Sequence, residues 1–459
     1  MSLLSFSEQR RLLDEQLSDP KLFDGAIFNY YKVAQHGFTY ANNQDSSKLL
    51  ETHFDLTAWK FRLFKKAKHL KSGRIKIPAL NRIVAIDGGR TSVGKDGETR
   101  LTYFHHLLNC VESDGYSVIN FSKNQDVPAD FSLIDVWPMI AAPPCSPSVV
   151  DLFKDLKSVL QRMESAARFS KEQISYVASA FHNFLEEYSW ALHMLARGSA
   201  ETVLFYPHYH REGLIAACKT LGLNCFEIQH GLIAENDLYY CFPEAIQTYS
   251  RKALFPDKLL VFGEYWKQVV LRGHEHSADS VQVIGDYQFQ EQTQQVAKEN
   301  IVFIGAQKNM AASYVQYTTD LLERIQSNYP DWKVVLKMHP LEKEVSLYQQ
   351  INHPQFELVG NNANLADLLA KSKIQISIYS TTFFDALPFN VLNFSLQDFT
   401  EFADYARDMI AEKVALPLKT DEDPIQIFEA HASREIDTLN SIDVYGTFDR
   451  SAFKTLINH

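Results

Sequence analysis

Short apolar runs alternate with helical periodicity over most of this chain. "RIVAID" (82–87), "SVINFS" (117–122), "ETVLFYP" (201–207), "CFEIQHG" (225–231), "DKLLVFG" (257–263) and "VQVIGD" (281–286) read as strands. Their apolar residues are mostly consecutive rather than alternating, as expected of strands buried on both faces. Between them, "YFHHLLNCVESDGY" (103–116), the stretch 149–198, "REGLIAACKTLG" and "EYWKQVVLRG" have apolar residues at helical spacing. After a polar stretch, "QFQEQTQQVAKEN" (288–300), which has no apolar face and reads as a linker, the rhythm resumes. Its strands are "IVFIGA", "WKVVLKMHP", "FELVG", "IQISIYS" and "VLNFSL", with helices at 314–330, 365–372 and 381–389.

Strands alternating with helices predict an α/β fold with parallel doubly wound sheets. Two such series predict two Rossmann-like domains facing a cleft. The expected boundaries are a helical N-terminal region over 1–78, a first domain over 79–290 with a helical insertion at 149–198, a second domain over 291–425, and C-terminal helices over 426–459.

Composition agrees with a folded chain of more than one core: 459 residues, 46% hydrophobic and 22% charged. With 45 basic and 56 acidic side chains the net charge is −11, which argues against a nucleic-acid partner. The five cysteines form no CxxC and suggest a reducing compartment. The first residues carry no signal-peptide core and no window has the length of a membrane span, so a cytoplasmic protein is expected. One block departs from the acidic average. "LTAWKFRLFKKAKHLKSGRIK" (56–76) places Leu56, Trp59, Leu63, Ala67 and Leu70 at helical spacing among lysines and arginines, with no acid. It fits a helix lying on the anionic inner membrane, or a surface helix packing its apolar stripe on the core.

In open α/β sheets ligands bind outside the carboxyl ends of the strands. In the second domain these positions are polar: Ala306, Gln307, Lys308 and Asn309 after the first strand, Lys337, His339 and Pro340 at the second, and Ser380, Thr381 and Thr382 after "IQISIY". Lysine and imidazole hold phosphate oxygens by charge-assisted hydrogen bonds, and proline stops the strand and fixes the loop. Hydroxyls at a helix start either cap it or add donors for a phosphate.

"KMHP", followed about 40 residues later by "IYSTTFFDAL", resembles the HP and Ser/Thr motifs of bacterial sialyltransferases, polysialyltransferases and capsule Kdo transferases. It is also similar to the CDP-glycerol glycerophosphotransferases of teichoic acid synthesis. These are GT-B enzymes of two Rossmann-like domains. The resemblance covers mainly residues 225–396 and implies that His339, Ser380, Thr381 and Thr382 contact the phosphate of a nucleotide-activated donor. In the first domain, "FEIQHGLI" places Gln229, His230 and Gly231 after a strand. It resembles the QHG element of O-antigen and capsule glycosyltransferases and the His-Gly element of the glycerophosphotransferases, which implies His230 as a general base.

Two further loops fall on the same edge. "FYPHYHREG" carries His208, His210, Arg211 and Glu212; "AIDGGRTS" carries Asp87, Gly88, Gly89 and Arg90. Asp87 and Glu212 are alternative bases, while Gln229, Gly231, Arg90, His210 and Arg211 line the acceptor side. His208 and His210 resemble a metal pair without a third ligand, and no metal is expected. GxGxxG, the Walker phosphate loop and a strand-flanked DxD are absent, which argues against dinucleotide oxidation, ATP hydrolysis and DxD-dependent transfer.

The expectation is a metal-independent glycosyltransferase, with no cofactor, of bacterial surface polysaccharide (capsule, O-antigen or lipopolysaccharide). Its donor is a nucleotide-sugar, CMP-linked or otherwise, and its acceptor a glycan, free or lipid-linked. The alternatives are a CDP-polyol phosphotransferase, a non-hydrolysing sugar-nucleotide epimerase, and a catalytically silent binding protein.

Overall fold

A computed structural model of the chain describes residues 6–18, 32–33, 80–87, 91–93, 99–111, 115–120, 133–135, 161–163, 165, 171–196, 198–209, 211–234, 237–240, 242, 254–273, 276–286, 296–308, 310–339, 342, 345–360, 363–399, 406–432 and 441–458. The basic block 56–76, the turn 88–90, His210, Asn309 and Pro340 lie outside the described residues.

The first compact unit comprises Ser7–Gln288 and Gly446–His459. Its strands are β1 (Ile83–Asp87), the antiparallel pair β2 (Thr91–Val93) and β3 (Thr99–Leu101), β4 (Tyr116–Asn120), β5 (Leu133–Asp135), β6 (Thr202–Phe205), β7 (Asn224–Ile228), β8 (Lys258–Val261) and β9 (Val281–Val283). Seven of them form one parallel sheet in the order β5-β4-β1-β6-β7-β8-β9. The short pair β2–β3 follows β1, and a single turn of helix, His105–Leu108, stands where the longer helix over 103–116 is expected. Two of those residues, Tyr103 and Phe104, are buried instead beside the ring of Tyr206.

Two helices cover this sheet in close contact, Lys171–Leu195 and Glu212–Leu221. Gly213 lets them approach. A Cβ there would lie 2.5 Å from the Phe184 carbonyl oxygen and 2.7 Å from the Tyr188 nitrogen. Val84, Ile86, Val203, Phe205, Leu214 and Tyr188 share the core they enclose.

The second unit, Phe289–Tyr445, holds β10 (Ile301–Gly305), β11 (Lys333–Lys337), β12 (Phe356–Val359), β13 (Ile374–Ser377), β14 (Leu392–Leu396) and β15 (Leu416–Leu418). All are parallel, in the order β12-β11-β10-β13-β14-β15. Pro417 sits in β15 because an edge strand has no ladder partner on its outer side for a missing N–H. The helix Ala311–Asn328 buries Tyr314, Tyr317, Leu321 and Ile325 into a core with Val302, Leu336 and Phe394. The end of the polar stretch, 296–300, is fastened to this unit. Lys298 Nζ donates to the carbonyls of Leu369 at 2.9 Å and Ser372 at 2.7 Å.

The C-terminal helices are not one piece. Pro424–Ala432 belongs to the second unit, whereas the chain from Gly446 returns to the first. Gly446 N–H donates to the Phe262 carbonyl at 3.0 Å, and Asp286 N–H to the Gly446 carbonyl at 2.7 Å. Gly285 takes φ +84°, and a Cβ on it would lie 2.2 Å from the Thr447 carbonyl oxygen, so only glycine admits the returning strand of chain. The helix Arg450–Asn458 then buries Phe453 and Ile457.

Candidate functional site

Both sheets reverse their order beside their first strand, β1 against β6 and β10 against β13. Such a switch point opens a crevice at the carboxyl ends of the two strands, where ligands bind.

In the second unit the polar residues flagged from sequence meet at this crevice. Gly305 at the end of β10 is paired with Lys337 at the end of β11. Ala306 N–H donates to the Lys337 carbonyl at 3.1 Å, which brings the first two loops together. Across the switch, Ser377 Oγ donates to the Gly305 carbonyl at 2.8 Å, and Gln307 Nε2 donates to the carbonyl of Tyr379. A Cβ on Gly305 would touch Thr382 Oγ1 at 3.9 Å. The loops carrying Gln307, His339 and Thr382 are therefore neighbours on one edge. Gln307 braces two of them through its amide.

The edge is electropositive. Burial pushes the His339 imidazole below its ordinary value, Lys308 and Lys337 push it further down, and Glu342 opposes them. Burial also lowers the Lys337 ammonium. A bound anion at this edge would pull the His339 imidazole back up. Thr381 is exposed and Lys308 is exposed; Ser380 and Thr382 are half-buried. Ser380 Oγ accepts from Thr382 N–H at 3.2 Å, closing a side-chain turn just before the helix Thr382–Ala386 while standing at the edge. That helix is also held by Tyr445, whose hydroxyl donates to Asp385 Oδ1 at 2.8 Å. Sequence reading missed Gln375. It is fully buried in β13, and its Nε2 donates to Thr382 Oγ1. The signal was a lone amide between two isoleucines.

In the first unit the three alternative bases separate by environment. Asp87, at the end of β1, is fully buried and accepts from the Tyr206 hydroxyl at 2.7 Å across the switch point. Glu212 begins its helix 5% exposed, with Lys32 Nζ, itself fully buried, at 3.7 Å. Burial lowers Lys32 to about 8 against the pull of Glu212. The sequence placed Glu212 on the open edge; the structure ties it to an internal cation instead. His230 alone of the three is half-buried at the strand end. Its Nε2 is 3.2 Å from the Tyr209 hydroxyl, its ring stacks on Tyr206 (5.9 Å, 27°), and Tyr103 meets it edge-on (6.1 Å, 81°).

Gln229 faces inward rather than toward an acceptor. Its Oε1 accepts from Phe262 N–H and its Nε2 donates to the Gly231 carbonyl, both at 2.9 Å. The amide thus fixes the turn carrying His230. Gly231 keeps a negative φ, since Gly222 and Gly285 alone among the described glycines have φ above zero. Arg211 pairs with Glu187 at 3.0 Å, joining the two covering helices. His208 uses both ring nitrogens inside the fold, Nδ1 on Glu227 at 2.7 Å and Nε2 on the Tyr239 carbonyl at 2.9 Å. It has no nitrogen left for a metal, and no metal-holding cluster occurs among the described residues. Among those residues, too, no helix is long and apolar enough to cross a membrane.

No family model matches the chain, and no curated protein sequence matches it. Solved structures resemble it. A putative UDP-N-acetylglucosamine 2-epimerase from Listeria monocytogenes is 13% identical with a TM-score of 0.50, covering 83% of this chain and 95% of that one. The UDP-GlcNAc 2-epimerase of Methanocaldococcus jannaschii is 11% identical (TM-score 0.49; 82% and 99% covered). The wall teichoic acid polymerase TagF is 11% identical (TM-score 0.45; 88% and 97% covered). At 13% identity the likeness to the Listeria structure speaks for the fold alone, and the two parallel α/β sheets agree with it.

Proposed function

We propose that this chain is a GT-B glycosyltransferase of bacterial surface polysaccharide synthesis, moving a sugar from a nucleotide-sugar to a glycan hydroxyl. One observation carries the reading: the loops bearing Gln307 and Lys308, Lys337 and His339, and Ser380 to Thr382 adjoin at the switch point of the second sheet. Their cations and hydroxyls suit a diphosphate.

In this reading the acceptor oxygen attacks the anomeric carbon, the bond from that carbon to the phosphate oxygen breaks, and the nucleotide leaves with the electron pair. Lys308, Lys337 and His339 stabilise the charge that develops on it. The acceptor proton passes to His230, the one of the three candidate bases that is not buried. Tyr206, held by Asp87, packs against the His230 ring and orients it.

The test is thermal unfolding and calorimetry with UDP, CDP, GDP and CMP, then turnover with the corresponding nucleotide-sugars. A ligand at 100 times its dissociation constant stabilises by about 2.7 kcal/mol. His339→Ala is expected to abolish that shift with the fold retained. Isomerisation of a nucleotide-sugar without any acceptor would overturn transfer in favour of epimerisation, and release of a polyol phosphate from CDP-glycerol would overturn it in favour of the phosphotransferase.

A further inference from the structure

Gln375 is an amide inside an apolar sheet. It lies between Ile374 and Ile376 in β13, pairs across the sheet with Phe303 and Asn393, and is fully buried. Its Oε1 is buried without a hydrogen-bond partner. An unsatisfied buried carbonyl costs stability, and an apolar residue would pack there without that cost. Packing is therefore no reason for an amide at this position.

The direction of its one side-chain hydrogen bond supplies a reason. An amide nitrogen only donates, so Thr382 Oγ1 accepts from Gln375 Nε2. The Thr382 hydroxyl then gives its own proton to Ser380 Oγ, 2.9 Å away. Ser380 Oγ receives a second bond from the Thr382 backbone N–H at 3.2 Å. A hydroxyl accepts twice and donates once. Ser380 Oγ is thus filled as an acceptor, and among the described residues no atom accepts its proton.

We propose that Gln375 is a positioning residue of the phosphate site, setting the relay Gln375→Thr382→Ser380 so that the Ser380 hydroxyl acts only as a donor, toward a nucleotide phosphate oxygen. This deepens the nucleotide reading above and rests on it. Each hydroxyl in such a chain polarises the next, which strengthens the last bond to an anion. The relay also selects. A ligand group that accepts, as an ionised phosphate oxygen does, completes it; a ligand N–H or ammonium meets an oxygen with no lone pair to offer.

The test is a double-mutant cycle. Wild type, Gln375→Met, Ser380→Ala and the double variant are titrated with UDP and with CDP by calorimetry, and their folding is checked by thermal unfolding. If Gln375 acts through Ser380, Gln375→Met weakens binding by about tenfold beside Ser380 and adds nothing beside alanine. Thr382→Val breaks the relay from the half-buried side and is expected to show the same dependence on Ser380, also where Gln375→Met does not fold. Equal losses in both backgrounds, or tight binding undisturbed by either variant, overturn the relay and leave the nucleotide reading standing. No binding of either nucleotide by the wild-type chain overturns that reading and removes the partner assigned to Ser380.

Discussion

His208 Nδ1 lies 2.7 Å from Glu227 Oε2, and neither side chain reaches solvent. The other His208 nitrogen faces a carbonyl, so both partners are acceptors; burial pushes the imidazole below its ordinary value, while Glu227 and that carbonyl pull it back up. Glu227 also accepts from His208 N–H at 3.0 Å and from the Tyr240 hydroxyl at 2.8 Å. The carboxylate thereby joins the loop of Tyr209 to the loop of Tyr239, whose rings stack at 4.3 Å beside His230.

An acid-sensitive contribution to stability follows. Burial alone would raise the Glu227 carboxyl, but the charge and hydrogen bond of His208, with Tyr240, hold it down to about 2. Its folded value lies below the ordinary 4.5, so the contribution is complete above about pH 4.5 and disappears as pH falls toward 2. The difference corresponds to about 3 kcal/mol. Denaturant unfolding of wild type and Glu227→Gln should converge by that order between pH 5 and 2; a constant gap would assign the stability elsewhere.

Nucleotide binding is expected to take up a proton at His339. In the free protein, burial and the neighbouring lysines hold its value below the ordinary 6.5. A bound phosphate raises it. The protonated form is then favoured in the complex, so affinity is greatest at low pH and declines as pH rises through the bound-state value. Calorimetry at pH 7 in two buffers of different ionisation enthalpy reads the uptake directly. His339→Gln should abolish it, and uptake of the same size in that variant rejects the assignment.

Asp87 and His230 are separable by kinetics. His230→Gln should lower transfer by about 10² to 10⁴ with nucleotide affinity unchanged, the range expected for loss of a general base. Asp87→Asn retains an acceptor for the Tyr206 hydroxyl and should leave most of the rate. The reverse ranking would make the buried aspartate the base.

Gly213→Ala should destabilise the first unit by about 1–3 kcal/mol, because the added carbon meets backbone atoms of the neighbouring helix that do not rotate away. An unchanged midpoint in thermal unfolding would mean that the two helices separate without cost.

Much of this was readable from the chain. Consecutive apolar residues located most central strands, and the parallel rhythm fixed the α/β class. That the loops of His339 and Thr382 share one edge was legible because both follow strands of a parallel sheet directly. The short edge strands β5 and β15 were not, since three residues carry no periodicity, and in β15 the middle one is a proline. Nor were the ties of Glu212 to Lys32 and of Gln229 to Phe262, which join residues 180 and 33 positions apart. Sequence position says where a polar side chain starts; the fold decides whether it turns to the edge or to the interior.

The return of the chain at Gly446 has a consequence for biosynthesis. All strands of the second unit lie within Phe289–Tyr445, so they are synthesised before the last helix of the first unit. A chain that ends at Tyr445 would hold every strand of the second sheet, and a first sheet whose β8–β9 rim, at Phe262 and Gly285, lacks the segment that returns to it. Truncations that remove the residues after Tyr445 should therefore expose the first unit to proteolysis, and leave the second intact.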